Sequence, residues 1–163
     1  MMNDELRMRE AAHTDIPVLA NHRRWMFEEM AVLRGEPYGP TALEAMTIEY
    51  RRWLEERLGG DIRGWVIESG NQIVASGAVF VYDLLPRPGD WTGRTALLHS
   101  MYTDPAYRRR RLAKQIVLKA IEFCQASGFR GLRLHASDAG RLVYESLGFA
   151  PTTEMWLSFE QVA

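Results

Sequence analysis

The segment TALLHSMYTDPAYRRRRLAKQIVLKAIEFCQASGFRGLRLHA, residues 95–136, changes its period twice. Thr95 to Thr103 is rich in strand-favouring residues and reads as a β-strand. From about Arg109 to Ser127 the apolar residues Leu112, Ala113, Ile116, Val117, Ala120 and Cys124 recur at helical spacing, and Gly128 stands where a helix needs a C-terminal cap. Leu132 to Ala136 returns to strand. Strand, helix and strand in this order form a βαβ unit, which makes the two strands parallel neighbours.

Working toward the N-terminus, Asp83 to Arg94 contains Pro86, Pro88, Gly89 and Gly93 and reads as a loop long enough to be functional. Trp65–Glu68 and Ile73–Tyr82 are β-rich runs joined by Ser69-Gly70-Asn71, a hairpin with its turn residues in place. Before them lie two helices. The first follows His13-Thr14-Asp15-Ile16-Pro17, where Thr14 or Asp15 can cap, and runs to about Leu33. Ile16, Leu19, Ala20, Met26, Phe27 and Met30 form its loose apolar stripe, with Arg23, Arg24, Glu28 and Glu29 on the polar side. The second opens after the Gly35–Pro40 loop, with Thr41 and Glu44 spaced as a capping box, and ends at Gly59-Gly60. Leu6–Ala11 is a further strand. C-terminal to the βαβ unit, Ala139–Leu147 is a short helix stopped by Gly148, and Met155–Phe159 is a last strand. The fold class is α/β in the α+β sense, a mixed sheet flanked by helices, organised as a single domain over residues 1–163.

The totals narrow the function. The formal net charge of -1 gives no whole-molecule field for nucleic acid or anionic membrane, so basic chemistry must be local. One cysteine, Cys124, excludes an intramolecular disulfide, and no Cys/His cluster has metal-ligand spacing, so no metal is expected. Cys124, like His13 and His22, draws no functional reading. The N-terminal MMNDELRMREAAHTD lacks the apolar run of a signal peptide, and no window reaches the roughly 18 apolar residues of a membrane helix, so a cytoplasmic location is expected.

Against that neutral background, Arg108, Arg109, Arg110 and Arg111 stand together at the strand-to-helix turn of the βαβ unit. A helix N-terminus offers unpaired backbone N–H groups and the positive end of the helix dipole, a geometry that binds phosphate. The arginine run therefore reads as a cradle whose amides and guanidinium groups converge on a pyrophosphate.

Tyr107-Arg108-Arg109-Arg110-Arg111-Leu112-Ala113 after a strand resembles the acyl-CoA pyrophosphate loop of the GNAT superfamily of N-acetyltransferases, whose pattern is [R/Q]-x-x-G-x-[G/A]. Arg108 takes the first position and Ala113 the last, while Arg111 stands at the usual central glycine. A residue with a Cβ there must keep negative φ or accept strain of about 1–2 kcal/mol. Leu97–Tyr107 looks like the family's central strand and the turn after it, and Leu134–Ser137 with Val143-Tyr144-Glu145-Ser146-Leu147-Gly148-Phe149 resembles its fifth strand and following helix end. The likeness is close over Thr95–Phe159, and residues 1–94 match only in element order.

The resemblance implies a GNAT-like acyl-CoA acyltransferase fold in which the central strand and the next parallel strand splay, with pantetheine in the gap. It implies acetyl-CoA as co-substrate and transfer to a primary amine of a small molecule or peptide by direct attack. It assigns Met101, Tyr102 and Thr103 to pantetheine and thioester contact, Arg108–Ala113, Lys114 and Ser137 to the rest of the cofactor, and Tyr144 to protonation of the leaving thiolate. A bulge near Met101 would aim an N–H at the thioester oxygen. Dimers are common in such folds.

The resemblance implies a glutamate base on the central strand, but Thr95–Thr103 contains none, so His99, the titratable side chain of that strand with an ordinary value near neutrality, is the candidate base, with Asp83 the other. Strict alternation puts His99 and Met101 on one face, and a bulge resets that. Helix one and the loops around Tyr38 and Trp91 would build the acceptor site, with Trp25, Phe27, Glu28, Glu29, Tyr38 and Asp83 as its candidate residues. Two rival readings are an acyl-CoA-binding protein without turnover and a nucleic-acid binder using Arg108–Arg111 with Lys114, Arg130 and Arg133.

Overall fold

The computed structural model describes residues 5–159. β1 (Leu6–Glu10) leads through a 3₁₀ turn (His13–Asp15) into α1 (Ile16–Arg34) and α2 (Pro40–Arg57), followed by β2 (Ile62–Ser69), β3 (Gln72–Asp83) and β4 (Arg94–Thr103). A second 3₁₀ turn (Pro105–Tyr107) precedes α3 (Leu112–Ala126), β5 (Leu132–Arg133) and α4 (Asp138–Ser146). The strands form one sheet in the order β1-β2-β3-β4-β5. The first three neighbouring pairs are antiparallel and β4 with β5 is parallel, as the βαβ reading requires.

Apolar stripes place the helices. Leu112, Ile116, Val117, Ala120 and Cys124 of α3 pack with Trp65, Ile67, Val81, Ala96 and Leu98 on one face of the sheet. Ile16, Leu19 and Ala20 of α1 pack with Tyr50 and Leu54 of α2 against Ile62, Val66 and Ala78 on the other. Each fully buried Leu or Ile contributes roughly 1.5–3 kcal/mol, more than any surface ion pair in the molecule is worth.

Three local expectations are corrected. Asp15 makes no side-chain cap to α1, because its carboxylate accepts from Arg9 at 2.7 and 2.9 Å and from the Ala12 N–H at 2.7 Å. Thr41 and Glu44 form no capping box, since α2 begins at Pro40 behind Gly39 and Glu44 accepts from Arg24 at 2.7 Å. Residues 155–159 form no strand. Met155, Trp156, Leu157 and Phe159 are 94%, 88%, 73% and 80% exposed, and no strand pairs with them among the described residues. Strand propensity expresses packing against neighbours, and without a neighbour these residues form no ladder.

β5 is also shorter than the Leu132–Ala136 run suggested. It pairs with β4 only at Ala96–Leu132 and Leu97–Arg133. β4 continues to Thr103, paired on its other side with β3 throughout. From Leu98 onward, among the described residues, the β5-facing edge of β4 has no strand partner. This is the splay that the resemblance implied.

β4 carries one extra residue within that open stretch. His99 pairs with Ala78 and Tyr102 with Ser76, so Ser100 and Met101 together oppose Gly77 in a β-bulge. Ser100 takes φ +55°, left-handed backbone at a position glycine more often occupies. Gly77 is required by its neighbours: a Cβ there would sit 2.8 Å from Ile116 Cγ2 and well inside contact distance of Met101 Sδ. Gly77→Ala is expected to lower the unfolding free energy by about 1–3 kcal/mol in urea titrations. Gly131→Ala, where nothing lies within 4 Å, is expected to stay within about 0.5 kcal/mol.

Candidate active site

The bulge shifts the side chains of β4 between faces. Met101 packs toward α3 with Leu98, whereas His99 meets Tyr50 of α2 and Tyr102 meets His22 and Trp25 of α1. His99 and Met101 therefore lie on opposite faces, which corrects the alternation expected of an unbroken strand. The Met101 backbone sits on the open edge while its side chain anchors the bulge in the core.

On the α1/α2 face, the Ser100 hydroxyl is a junction. Arg23 Nη1 donates to Ser100 Oγ at 2.8 Å, Ser100 Oγ donates to Tyr50 Oη at 3.2 Å, and His99 Nδ1 shares a 2.9 Å hydrogen bond with the same oxygen. With the serine proton directed at Tyr50, Nδ1–H donates to Ser100 and Nε2 carries a lone pair. That Nε2 is buried with no hydrogen-bond partner among the described residues. Burial, with the Arg23 charge adding, pushes His99 down to about 3, so it is a neutral imidazole. A group that protonates near pH 3 is a poor acceptor for an ammonium proton, and the expected role as base finds no support in this environment.

A second buried histidine adjoins this network. His22 Nδ1 and Ser76 Oγ share a 2.7 Å hydrogen bond, and the His22 ring lies 4.6 Å from that of Tyr102. Burial pushes His22 down to about 4, with the Asp104 charge opposing.

Beyond Thr103 the chain enters the arginine turn. Arg108 has extended backbone, Arg109 takes φ +64°, and Arg111 takes φ +61° as the N-cap of α3. Arg111 thus adopts the left-handed conformation that the family's glycine would take, and accepts the strain. The first intrahelical bond runs from Gln115 N–H to Arg111 O at 3.1 Å, which leaves the Leu112, Ala113 and Lys114 amides free of intrahelical partners. Leu112 is buried in the core and holds the turn down. The arginine side chains divide. Arg109, Arg110 and Arg111 are exposed, Arg110 lying 4.9 Å from the Tyr107 ring centroid. Arg108 is engaged elsewhere, donating to Thr103 O at 3.0 Å and to both Glu29 oxygens at 2.7 Å. It ties α1 to the end of β4, and its side chain is not free for phosphate in this arrangement.

Tyr144 of α4 packs against the α3-face core beside Phe149, and burial raises its hydroxyl above the ordinary tyrosine value, so it stays protonated. Gly140 makes room for it, since a Cβ there would fall 2.9 Å from the Tyr144 ring. Ser137 is the N-cap of α4, its Oγ accepting from the Gly140 N–H at 3.2 Å.

The acceptor-side expectations are met unevenly. Trp25 is half exposed beside Tyr102, and Phe27 and Tyr38 meet edge to face at 5.9 Å. Glu28 pairs with Arg24 and Glu29 with Arg108, so neither carboxylate is free. Asp83 lies six residues along β3 from Gly77, about 20 Å away at roughly 3.3 Å per residue, and does not converge on the bulge. The Trp91 loop shares a surface with Gln125, Gly128 and Phe129 at the far end of α3. Both are corrections, and both follow from strand direction: Asp83 and the loop after it belong to the end of the sheet opposite the arginine turn.

Sequence reading missed Arg23, Tyr50 and Ser100. One signal was present for Arg23, which lies seven residues after Ile16 and three after Ala20, on the apolar stripe rather than the polar side.

The comparisons agree with this architecture. The profile of the acetyltransferase (GNAT) family matches residues 26–149 of the 163. The chain belongs to that family, and its class is that of the acetyl-CoA-dependent N-acetyltransferases. The structure is similar to that of a GCN5-related N-acetyltransferase from Ralstonia eutropha JMP134, with 28% identity, a TM-score of 0.84, and 94% of this chain and 97% of that one covered. It is similar to a predicted acetyltransferase with acetyl-CoA from Clostridium acetobutylicum, with 27% identity, a TM-score of 0.82, and 94% of each chain covered. Glucosamine-6-phosphate N-acetyltransferase from Arabidopsis thaliana, at 22% identity and a TM-score of 0.64 over 95% of this chain and 98% of that one, shares the fold. Among curated proteins none matches the sequence. No group of three or more His, Cys, Asp or Glu side chains is placed to hold a metal, and no helix is long and apolar enough to cross a membrane, among the described residues.

Two outcomes follow from these environments. The folded state keeps His22 and His99 neutral while the unfolded chain protonates its histidines near pH 6.5, so below that pH the unfolded state binds more protons. Stability is expected to be level above about pH 7 and to fall on acidification from about 6.5 down through about 4, where His22 protonates in the folded state, and about 3, where His99 does, read as the urea midpoint, with a shallower fall in His22→Gln. Arg111→Gly should relieve about 1–2 kcal/mol of strain, less about 0.5–1 kcal/mol for the freer unfolded glycine. Its urea midpoint should therefore rise.

Proposed function

We propose that the protein transfers the acetyl group of acetyl-CoA directly to the primary amine of a small molecule or peptide, with both substrates bound together. The observation that carries this reading is the coincidence of three features on one edge: the splay of β4 from β5, the bulge at Ser100–Met101, and the free amides at the start of α3. The amides of Leu112, Ala113 and Lys114, with the guanidinium groups of Arg109, Arg110 and Arg111, would hold the diphosphate. The open backbone of Met101, Tyr102 and Thr103 would take the pantetheine arm as an added strand, and the Met101 N–H would face the thioester oxygen.

In this reading the amine nitrogen attacks the carbonyl carbon, the carbon–sulfur bond breaks, and the Tyr144 hydroxyl gives its proton to the departing thiolate. The attacking nitrogen loses a proton to solvent, from which Tyr144 is reprotonated, so the products are an amide and a free thiol. Neither His99 nor Asp83 is assigned as base. The acceptor arrives as the free amine, and catalysis rests on orientation and on the oxyanion donor.

The rivals predict differently. A binder without turnover would take acetyl-CoA and release no thiol. For a nucleic-acid surface, Arg130 lies past the far end of α3 from Lys114, some 20 Å away at about 1.5 Å per residue, and Arg108 and Arg133 face Glu29 and Glu154. Tyr144→Phe is expected to lower the rate of thiol release by about 10²-fold or more while acetyl-CoA affinity in calorimetry stays within about threefold. An unchanged rate would remove Tyr144 as the acid.

A further inference from the structure

Arg23 is a charged group held in the wall of the site without a counter-charge. It is half buried, with its guanidinium carbon 4.9 Å from the Phe27 ring centroid and 4.8 Å from that of Tyr50. One of its N–H groups donates to Ser100 Oγ, and the others meet no acceptor among the described residues. No carboxylate among those residues pairs with it, in contrast to Arg24, which has Glu28 and Glu44, and Arg108, which has Glu29. The acids nearest along α1 are thus already engaged by other arginines. Desolvation pulls the Arg23 guanidinium below the ordinary arginine value, with only the Tyr50 hydroxyl opposing, although it stays a cation. A half-buried charge of this kind is costly unless something pairs with it.

Its position says what that partner is. Ser100, which Arg23 touches, and Met101 are the two residues of the bulge. The attacking nitrogen must come within about 3–3.5 Å of the thioester carbon. With the thioester oxygen at the Met101 N–H, as proposed above, an anion on the free side of the Arg23 fork would lie on the α1/α2 side of the reacting amine. The planar fork matches a carboxylate in two-point contact. We propose that Arg23 anchors the carboxylate of the acceptor, and hence that the acceptor is a small amino acid whose amine is α or β to that carboxylate, bound on the side of the guanidinium fork turned away from Ser100.

This deepens the acetyltransferase reading and rests on it, so the test separates the two. The full chain, first titrated calorimetrically with acetyl-CoA, is assayed for thiol release with matched sets: L-phenylalanine, its amide and phenethylamine; L-alanine, its amide and ethylamine; and O-phosphoethanolamine as a phosphate-bearing control. The carboxylate-bearing members are expected to have the higher kcat/KM by roughly 10- to 100-fold. Arg23→Gln should bring that ratio near one with acetyl-CoA affinity unchanged, and Arg23→Lys, which keeps the charge but not the fork, should retain part of the preference and covers the case in which the glutamine variant does not fold. Amides or plain amines equal to or better than the acids, a ratio untouched in both variants, preference for O-phosphoethanolamine, or acetyl-CoA binding without turnover of any amino acid each overturns the assignment. Absence of heat with acetyl-CoA instead overturns the acetyltransferase reading itself. In that case the same pairs titrated into the protein alone still report on Arg23: heat from the acids but not their amides supports a carboxylate site, and equal heats refute one.

Discussion

The site depends on β4 being paired along one edge and released along the other. β3 holds it from Arg94 to Thr103, while β5 lets go after Leu97. A strand edge with free N–H and C=O groups in the middle of a sheet is an unusual exposure, because such groups seek partners. Here the unpaired stretch runs directly into the turn at Arg108–Arg111 and the free amides of α3. One edge therefore carries unpaired strand backbone and then free helix amides, the order that the proposed binding of a pantetheine arm and a diphosphate needs.

The bulge turns that edge into a site with two sides. By inserting one residue opposite Gly77 it sends the Met101 side chain into the α3 core and leaves His99 and Tyr102 facing α1 and α2. Ser100 absorbs the left-handed backbone, and its hydroxyl is held by Arg23, Tyr50 and His99. Local strain of roughly 1–2 kcal/mol is thus offset by hydrogen bonds of about 1 kcal/mol each.

The helices, the hairpin and the βαβ unit were legible because each rests on periodicity or on a turn residue such as Gly70 or Gly128. The arginine turn was legible as the entry to α3 because Arg108–Arg111 stand directly before an apolar stripe at helical spacing. What escaped was set by partners distant in sequence. Glu44 read as a cap until Arg24, on another helix, took it. Met155–Phe159 is apolar and aromatic like a strand, but composition cannot supply a neighbour to pair with. Asp83 was placed at the site by residue type, although strand direction carries it to the opposite end of the sheet. Arg23 looked like surface charge until the bulge brought Ser100 beneath it. Arg111 shows the same limit in reverse: its identity departs from the family's glycine while its backbone keeps the glycine conformation.

Amide-resolved NMR of the labelled protein titrated with coenzyme A lacking its acetyl group addresses the central claim most directly. The account predicts that the largest shifts fall on the backbone amides of Met101 and of Leu112 to Lys114, with the exposed arginine turn losing solvent exchange. Shifts confined to other surfaces, with those amides unmoved at saturation, would contradict it.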